Sequence, residues 1–109
     1  MVGEQISTGP KNQTPTVLVV DDEVLVRMVI AEYLRDCGYH AIEAADAAEA
    51  IEVLSSETQV DILFTDIEMP GTMNGFGLAR WARENVAGVH IVLTSGNPGK
   101  AEEARELCL

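Results

Sequence analysis

The stretch Val60-Asp61-Ile62-Leu63-Phe64-Thr65-Asp66-Ile67-Glu68-Met69-Pro70-Gly71 decides how this chain folds. Val60 to Thr65 reads as a short, largely apolar strand that stops at Asp66. The segment 67–75, holding Pro70, Gly71, Asn74 and Gly75, reads as a loop. Working outward, a helix over roughly Phe76–Asn85 follows, with Leu78, Ala79 and Ala82 inward. Val89 to Thr94 gives a further strand, Ser95-Gly96-Asn97-Pro98-Gly99 a loop, and Lys100 to Leu109 a helical composition.

Towards the N-terminus, Asp46-Ala47-Ala48-Glu49 resembles a capping box, followed by the stripe Ala47, Ala50, Ile51, Leu54. His40 to Ala45 is a weaker strand. Val26, Val29, Ile30, Tyr33 and Leu34 have the spacing of an amphipathic helix that ends at Gly38. Val17-Leu18-Val19-Val20 is an unbroken branched run that stops at Asp21-Asp22, as a strand buried on both faces should read. Residues 1–15 are polar and rich in Gly, Pro and Thr, and are expected to form a flexible arm before an ordered domain over 16–109.

Alternating strands and helices predict an α/β fold, with a doubly wound parallel sheet and helices on both faces. Polar chemistry in such a sheet belongs at the carboxyl ends of its strands. Asp21, Asp22, Asp66 and Ser95 all fall there. Three carboxylates brought together repel one another unless a cation neutralises them. A hard divalent ion with oxygen ligands, Mg²⁺ above all, suits such a site. Asp66 then has a role as a nucleophile towards phosphorus, and Ser95 as a donor to a phosphoryl oxygen. Glu68, two residues beyond Asp66, could offer its backbone carbonyl to the metal, with its side chain turned to solvent. Each feature alone has a plainer reading: an Asp pair before a helix is often a cap, and a strand-end Asp or Ser a turn former.

Composition narrows the function classes. With 7 Lys+Arg against 18 Asp+Glu, the formal charge is −11, which argues against nucleic-acid backbones and anionic membranes as partners. No apolar run reaches the length of a membrane span. Cys37 and Cys108 show no metal-type spacing and no disulfide framework, so a reduced, cytoplasmic protein is expected, with Cys108 able to crosslink chains. His40 and His90 have no partner at ligand spacing. Trp81 is expected to be partly exposed.

The runs 17–23, 61–75 and 91–96, in this order, resemble the receiver domain of two-component response regulators. The resemblance implies a flavodoxin-like receiver fold with strand order 2-1-3-4. It implies a phosphoacceptor at Asp66, Mg²⁺ held by Asp22, Asp66 and the Glu68 carbonyl with Asp21 contributing, and a phosphoryl contact from Ser95. The phosphoryl group would come from a phosphohistidine on a sensor histidine kinase or histidine phosphotransfer protein and be lost by slow hydrolysis. The domain would therefore be a switch rather than an enzyme. Two alternatives stand beside it: a receiver-like interaction module that no longer switches, and an Asp-dependent phosphohydrolase. The second would need an Asp where Glu68 stands.

This chain departs from the receiver pattern. The loop after Asp66 is one residue longer than usual and carries Asn74 in place of Asp. A fifth strand bearing a Lys, and a fifth helix, are expected to be absent from a domain that is C-terminally incomplete. Lys100 lies too early to take that Lys role. The fourth strand is expected to be an open edge with core bare beside it, so the chain is expected to be either a truncated fragment or one that shields this edge by self-association.

Overall fold

The computed structural model describes residues 14–109. The expected arm lies outside the described residues except for Thr14 and Pro15. Eight elements follow in strict alternation: β1 (Thr16–Val20), α1 (Val24–Asp36), β2 (His40–Ala44), α2 (Ala47–Ser55), β3 (Ile62–Asp66), α3 (Gly75–Asn85), β4 (His90–Thr94) and α4 (Gly96–Leu107). The four strands are parallel in the order β2-β1-β3-β4, as expected. β1 is buried along its whole length, which is why it reads as an unbroken apolar run.

Side chains alternate across the sheet and build two cores. Leu18, Val20 and Leu63 face α2 and α3, where Ala47, Ala50, Leu54, Leu78 and Ala82 cover them. Val17, Val19, Phe64 and Val92 face α1 and α4, against Ile30, Ala31, Leu34 and Ala104. Asp21 and Asp66 continue the second set of rows, two residues beyond Val19 and Phe64. Chain periodicity thus delivers both carboxylates to the α1/α4 side.

Local signals explain the helix starts. Asp46 Oδ1 accepts from the Glu49 N–H at 2.9 Å, and Glu49 Oε1 accepts from the Ala45 N–H at 2.8 Å, so the expected capping box forms. Asn74 caps α3 by accepting from the Gly77 N–H at 3.0 Å. Its replacement of the usual Asp therefore keeps the capping function.

Three expectations change. The buried face of α1 is Ile30, Ala31 and Leu34, while Val29 and Tyr33 point outward. Apolar residues at 24, 25, 26, 28, 29 and 30 surround that helix, so periodicity alone fits more than one face. α4 begins at Gly96 rather than Lys100, because Pro98 sits in the first turn, where a missing N–H leaves no intrahelical bond unmade. The core beside β4 is not left bare on the α1 side, where α4 lies across it and Val92 is buried. β4 pairs with β3 alone and is an edge strand, as expected.

The cysteines also depart from the reduced reading. Cys37 and Cys108 form a disulfide with Cα atoms 5.7 Å apart, joining the C-terminal caps of α1 and α4. The bond closes a separation of 71 residues, for which chain entropy gives a stabilisation of about 4 kcal/mol. The pairing is invisible in the spacing and arises because the two helices pack side by side.

Candidate functional site

The backbone that carries Asp21 is anchored on both sides. Its N–H donates to the Ala44 carbonyl at 3.1 Å, and its own carbonyl accepts from Arg27 at 2.9 Å. Arg27 is in turn paired with Glu43 at 3.1 Å. Asp21 Oδ1 accepts from the Glu23 N–H at 2.9 Å, leaving Oδ2 turned to the site. The N-cap of α1 is Glu23, and its side chain makes no cap bond, so the acidic pair does not simply cap the helix.

Asp66 is set by backbone contacts. The N–H of Ile67 donates to Thr94, and the N–H of Gly75 donates to Ile67, at 2.9 and 2.8 Å. The loop after β3 therefore returns at Gly75 directly onto Asp66. A Cβ at position 75 would lie 2.1 Å from the Asp66 carbonyl oxygen and 2.7 Å from Ile67 Cα. Glycine is required there by close approach of backbone to backbone.

Asp21, Asp22 and Asp66 each offer a carboxylate oxygen, and the three oxygens lie within 4.8 Å of one another. Asp21 and Asp66 are 4% and 8% exposed, while Asp22 faces solvent. The arrangement is open on one side and hard in its donors, which fits a Mg²⁺ that keeps several waters. Glu68 is exposed, with its backbone N–H bonded to the Asp66 carboxylate. Ser95 follows Thr94, the register partner of Asp66, and stands exposed as the N-cap of α4 with no capping side-chain bond. Asp22, Glu23, Asp66, Glu68 and Asn97 line one shallow cleft. His40 and His90 are exposed strand-start residues away from that cleft, and Trp81 is half-buried.

Sequence reasoning missed Lys100. Its Nζ lies 2.8 Å from Asp21 Oδ2, 3.5 Å from Asp66 Oδ2 and 3.8 Å from Glu23 Oε1, and the residue is 4% exposed. The expected loop at 95–99 hid it. With the helix starting at Gly96, Lys100, Ala104 and Leu107 fall on one face at i, i+4 and i+7, and that face meets the sheet. A cation thus reaches the site from α4.

The ionisation of the pair follows from this packing. Burial raises the Asp66 carboxyl above its ordinary value; the Lys100 charge opposes the rise, Asp21 adds to it, and the Glu68 N–H lowers it. For Lys100, burial pulls the ammonium down, but the hydrogen bond and charge of Asp21, with Asp66 and Glu23, outweigh it and hold the group above its ordinary value. A carboxyl raised on folding contributes stability that is full below its unfolded value near 3.8 and is lost as pH rises through its folded one. In chelator at pH 7, Asp66→Asn should therefore raise the thermal midpoint. The gain should fade as pH falls through the carboxylate range, and thermal melts across pH check this.

The family model for the response regulator receiver domain matches residues 17–107. This chain belongs to that family. Among curated proteins it is 36% identical over 91 residues to the autoinducer 1 sensor kinase/phosphatase LuxN of Vibrio campbellii, an alignment covering 84% of this chain and 10% of that protein. The receiver domain therefore corresponds to about a tenth of that sensor kinase. Among solved structures it resembles a response regulator receiver protein from Pseudomonas putida, with a TM-score of 0.70, 32% identity, and coverage of 87% of this chain and 78% of the other. It also resembles the response regulator TrrA of Thermotoga maritima, solved in complex with Mg²⁺-BeF, with a TM-score of 0.70, 33% identity, and coverage of 75% and 70%. No helix of the described residues is long and apolar enough to cross a membrane.

Proposed function

We propose that this receiver accepts a phosphoryl group on Asp66 from a phosphohistidine of a sensor histidine kinase or histidine phosphotransfer protein, and that the modified domain alters a downstream interaction. The observation that carries this reading is the meeting of three carboxylate oxygens within 4.8 Å at the end of β1 and β3, with Asp66 among them. A carboxylate oxygen of Asp66 attacks phosphorus, the P–N bond to imidazole breaks, and an acyl phosphate forms. Asp21, Asp22, Asp66 and the Glu68 carbonyl would hold a Mg²⁺, which when bound would supply neutralisation of the phosphoryl charge. Ser95 donates its hydroxyl to a phosphoryl oxygen, and Lys100 sets an ammonium beside the acceptor.

The chain's own chemistry is limited to taking up this group and losing it slowly to water. It is not an enzyme with a separate substrate. A cytoplasmic setting goes with the reading, since phosphohistidine donors are made from nucleoside triphosphate. The resemblance to TrrA, solved with Mg²⁺-BeF, supports the metal part of the reading.

The test is transfer from a radiolabelled phosphohistidine protein. Label should pass to the wild-type chain with Mg²⁺, fail to pass in chelator, and fail with Asp66→Asn. Transfer to Asp66→Asn at the wild-type rate would remove Asp66 from its role.

A further inference from the structure

We propose that Arg27, steadied by Glu43, is a positioning residue for Asp22: by pinning the Asp21 carbonyl it fixes the peptide that leads into Asp22 and so aims the Asp22 carboxylate into the acidic cluster. The inference rests on the reading of that cluster as a metal site. Asp21 and Asp66 are buried and meet Lys100 at 2.8 and 3.5 Å. Asp22 is exposed, and its carboxylate makes no hydrogen bond or ion pair among the described residues. Yet one of its oxygens lies within 4.8 Å of oxygens from the other two. Its side chain has no hold of its own, so its place depends on the backbone that carries it.

Arg27 governs that backbone. The Asp21 N–H donates to the Ala44 carbonyl at 3.1 Å, and Arg27 Nη1 donates to the Asp21 carbonyl at 2.9 Å. With both polar groups of its backbone held, Asp21 cannot turn about its Cα–C bond without breaking one of these contacts. The peptide that follows is planar, so the same plane contains the Asp22 nitrogen and Cα. The direction in which the chain enters Asp22 is thereby set by a guanidinium from the second turn of α1.

The guanidinium is itself built in. Arg27 precedes Ile30, Ala31 and Leu34 at helical spacing and so stands on the buried stripe of α1, where an unpaired charge is costly. Its side chain is 15% exposed, and Nε donates to Glu43 Oε1 at 3.1 Å. Glu43 is the β2 register partner of Val19, which faces α1, and its second oxygen lies 3.5 Å from Arg35 Nη2. Arg35 in turn donates to the Ala41 carbonyl at 2.9 Å. Two guanidinium groups therefore grip one carboxylate, and Arg27 still has a donor for Asp21. Lysine carries a point charge without this planar, fixed set of donors.

The experiment is calorimetric titration of the full chain with Mg²⁺, comparing wild type with Arg27→Met, Arg27→Lys, Glu43→Ala, Glu43→Gln and Arg27→Met combined with Asp22→Ala. Removing a positive charge near the cluster would by itself tighten the binding of a cation. Loss of positioning has the opposite sign: Arg27→Met should bind about tenfold more weakly, the low end for groups that orient metal ligands. Arg27→Lys should not restore wild-type affinity. Glu43→Ala should weaken binding, while Glu43→Gln, which keeps an acceptor for Nε, should stay near wild type. In the Asp22→Ala background the Arg27 change should cost less than about twofold, because the group it aims is gone. A second readout needs no metal: in chelator, nuclear relaxation should show the Asp22 amide gaining mobility in Arg27→Met while the β3 amides stay rigid. Unchanged or tighter Mg²⁺ binding in Arg27→Met would overturn the proposal, as would an undiminished loss in the Asp22→Ala background or an Asp22 amide as rigid as in wild type. Should Arg27→Met fail to fold, equal affinities of Glu43→Ala and Glu43→Gln would overturn it and the expected split would uphold it. Absence of Mg²⁺ binding in wild type and every variant would instead sink the metal reading on which it stands.

Discussion

Gly75→Ala is expected to lower stability by about 3 kcal/mol, the upper end of overpacking effects. The new Cβ would fall 2.1 Å from the Asp66 carbonyl oxygen, 2.7 Å from Ile67 Cα and 2.9 Å from the Asp66 carbonyl carbon. All three are backbone atoms in or just after a buried strand, so no rotamer change can relieve the contact. Either β3 shifts at its end or α3 moves off the sheet. A loss of that size lowers the thermal midpoint by roughly 10–20 °C in a domain of this length. Because the displaced residue is Asp66, Mg²⁺ binding should weaken in the same variant. Gly99→Ala is the matched control. Its Cβ meets nothing within 4 Å and it lies inside α4, so the change should stabilise by up to about 1 kcal/mol. Thermal melts of the two variants separate steric necessity from a general intolerance of alanine.

Asp21→Ala has the second large effect. It removes the 2.8 Å partner of a lysine that is 4% exposed, and it removes the acceptor of the Glu23 N–H. Stripping one member from a buried ion pair typically costs 3–5 kcal/mol, since the survivor is left uncompensated. Here Asp66 at 3.5 Å and Glu23 at 3.8 Å remain near Lys100, so about 2–3 kcal/mol is expected. On the proposed reading the variant also loses one of the three carboxylates that would hold Mg²⁺, and Mg²⁺ affinity should fall roughly tenfold or more. Asp22→Ala distinguishes the two consequences. Asp22 is exposed, with no side-chain hydrogen bond or ion pair among the described residues. Its stability should stay within about 0.5 kcal/mol of wild type while the metal affinity drops. Denaturant melts in chelator and Mg²⁺ titrations together resolve the split.

These residues also show what could be read ahead of the structure. β1, β3 and β4 announced themselves because parallel strands covered on both faces need unbroken apolar runs, and each run stops where a polar residue reaches the sheet edge. Asp21, Asp22 and Asp66 were legible for the same reason, and their convergence followed from strand order. The inward face of α1 was legible only in part: Ile30 and Leu34 are buried as read, but apolar residues run around the helix, and only packing against Val17, Val19 and Phe64 selects Ala31 over Val29 and Tyr33. Lys100 was hidden by turn chemistry. Gly96, Asn97, Pro98 and Gly99 carry every sign of a loop, yet a proline in the first turn is compatible with a helix, and moving the start to Gly96 swings Lys100 inward. The Cys37–Cys108 pair depends on two helix ends meeting across 71 residues, which no spacing rule conveys.

The central claim is that Asp66 becomes an acyl phosphate in a site built from Asp21 and Asp22. It is tested most directly by treating the chain with a small acyl phosphate donor and Mg²⁺, trapping the product with borohydride, and mapping the modified peptide by mass spectrometry. The account predicts reduction of the carboxyl at position 66 to the alcohol, dependent on both donor and metal. Trapping at another carboxylate, or none at all in folded wild-type protein, would contradict it.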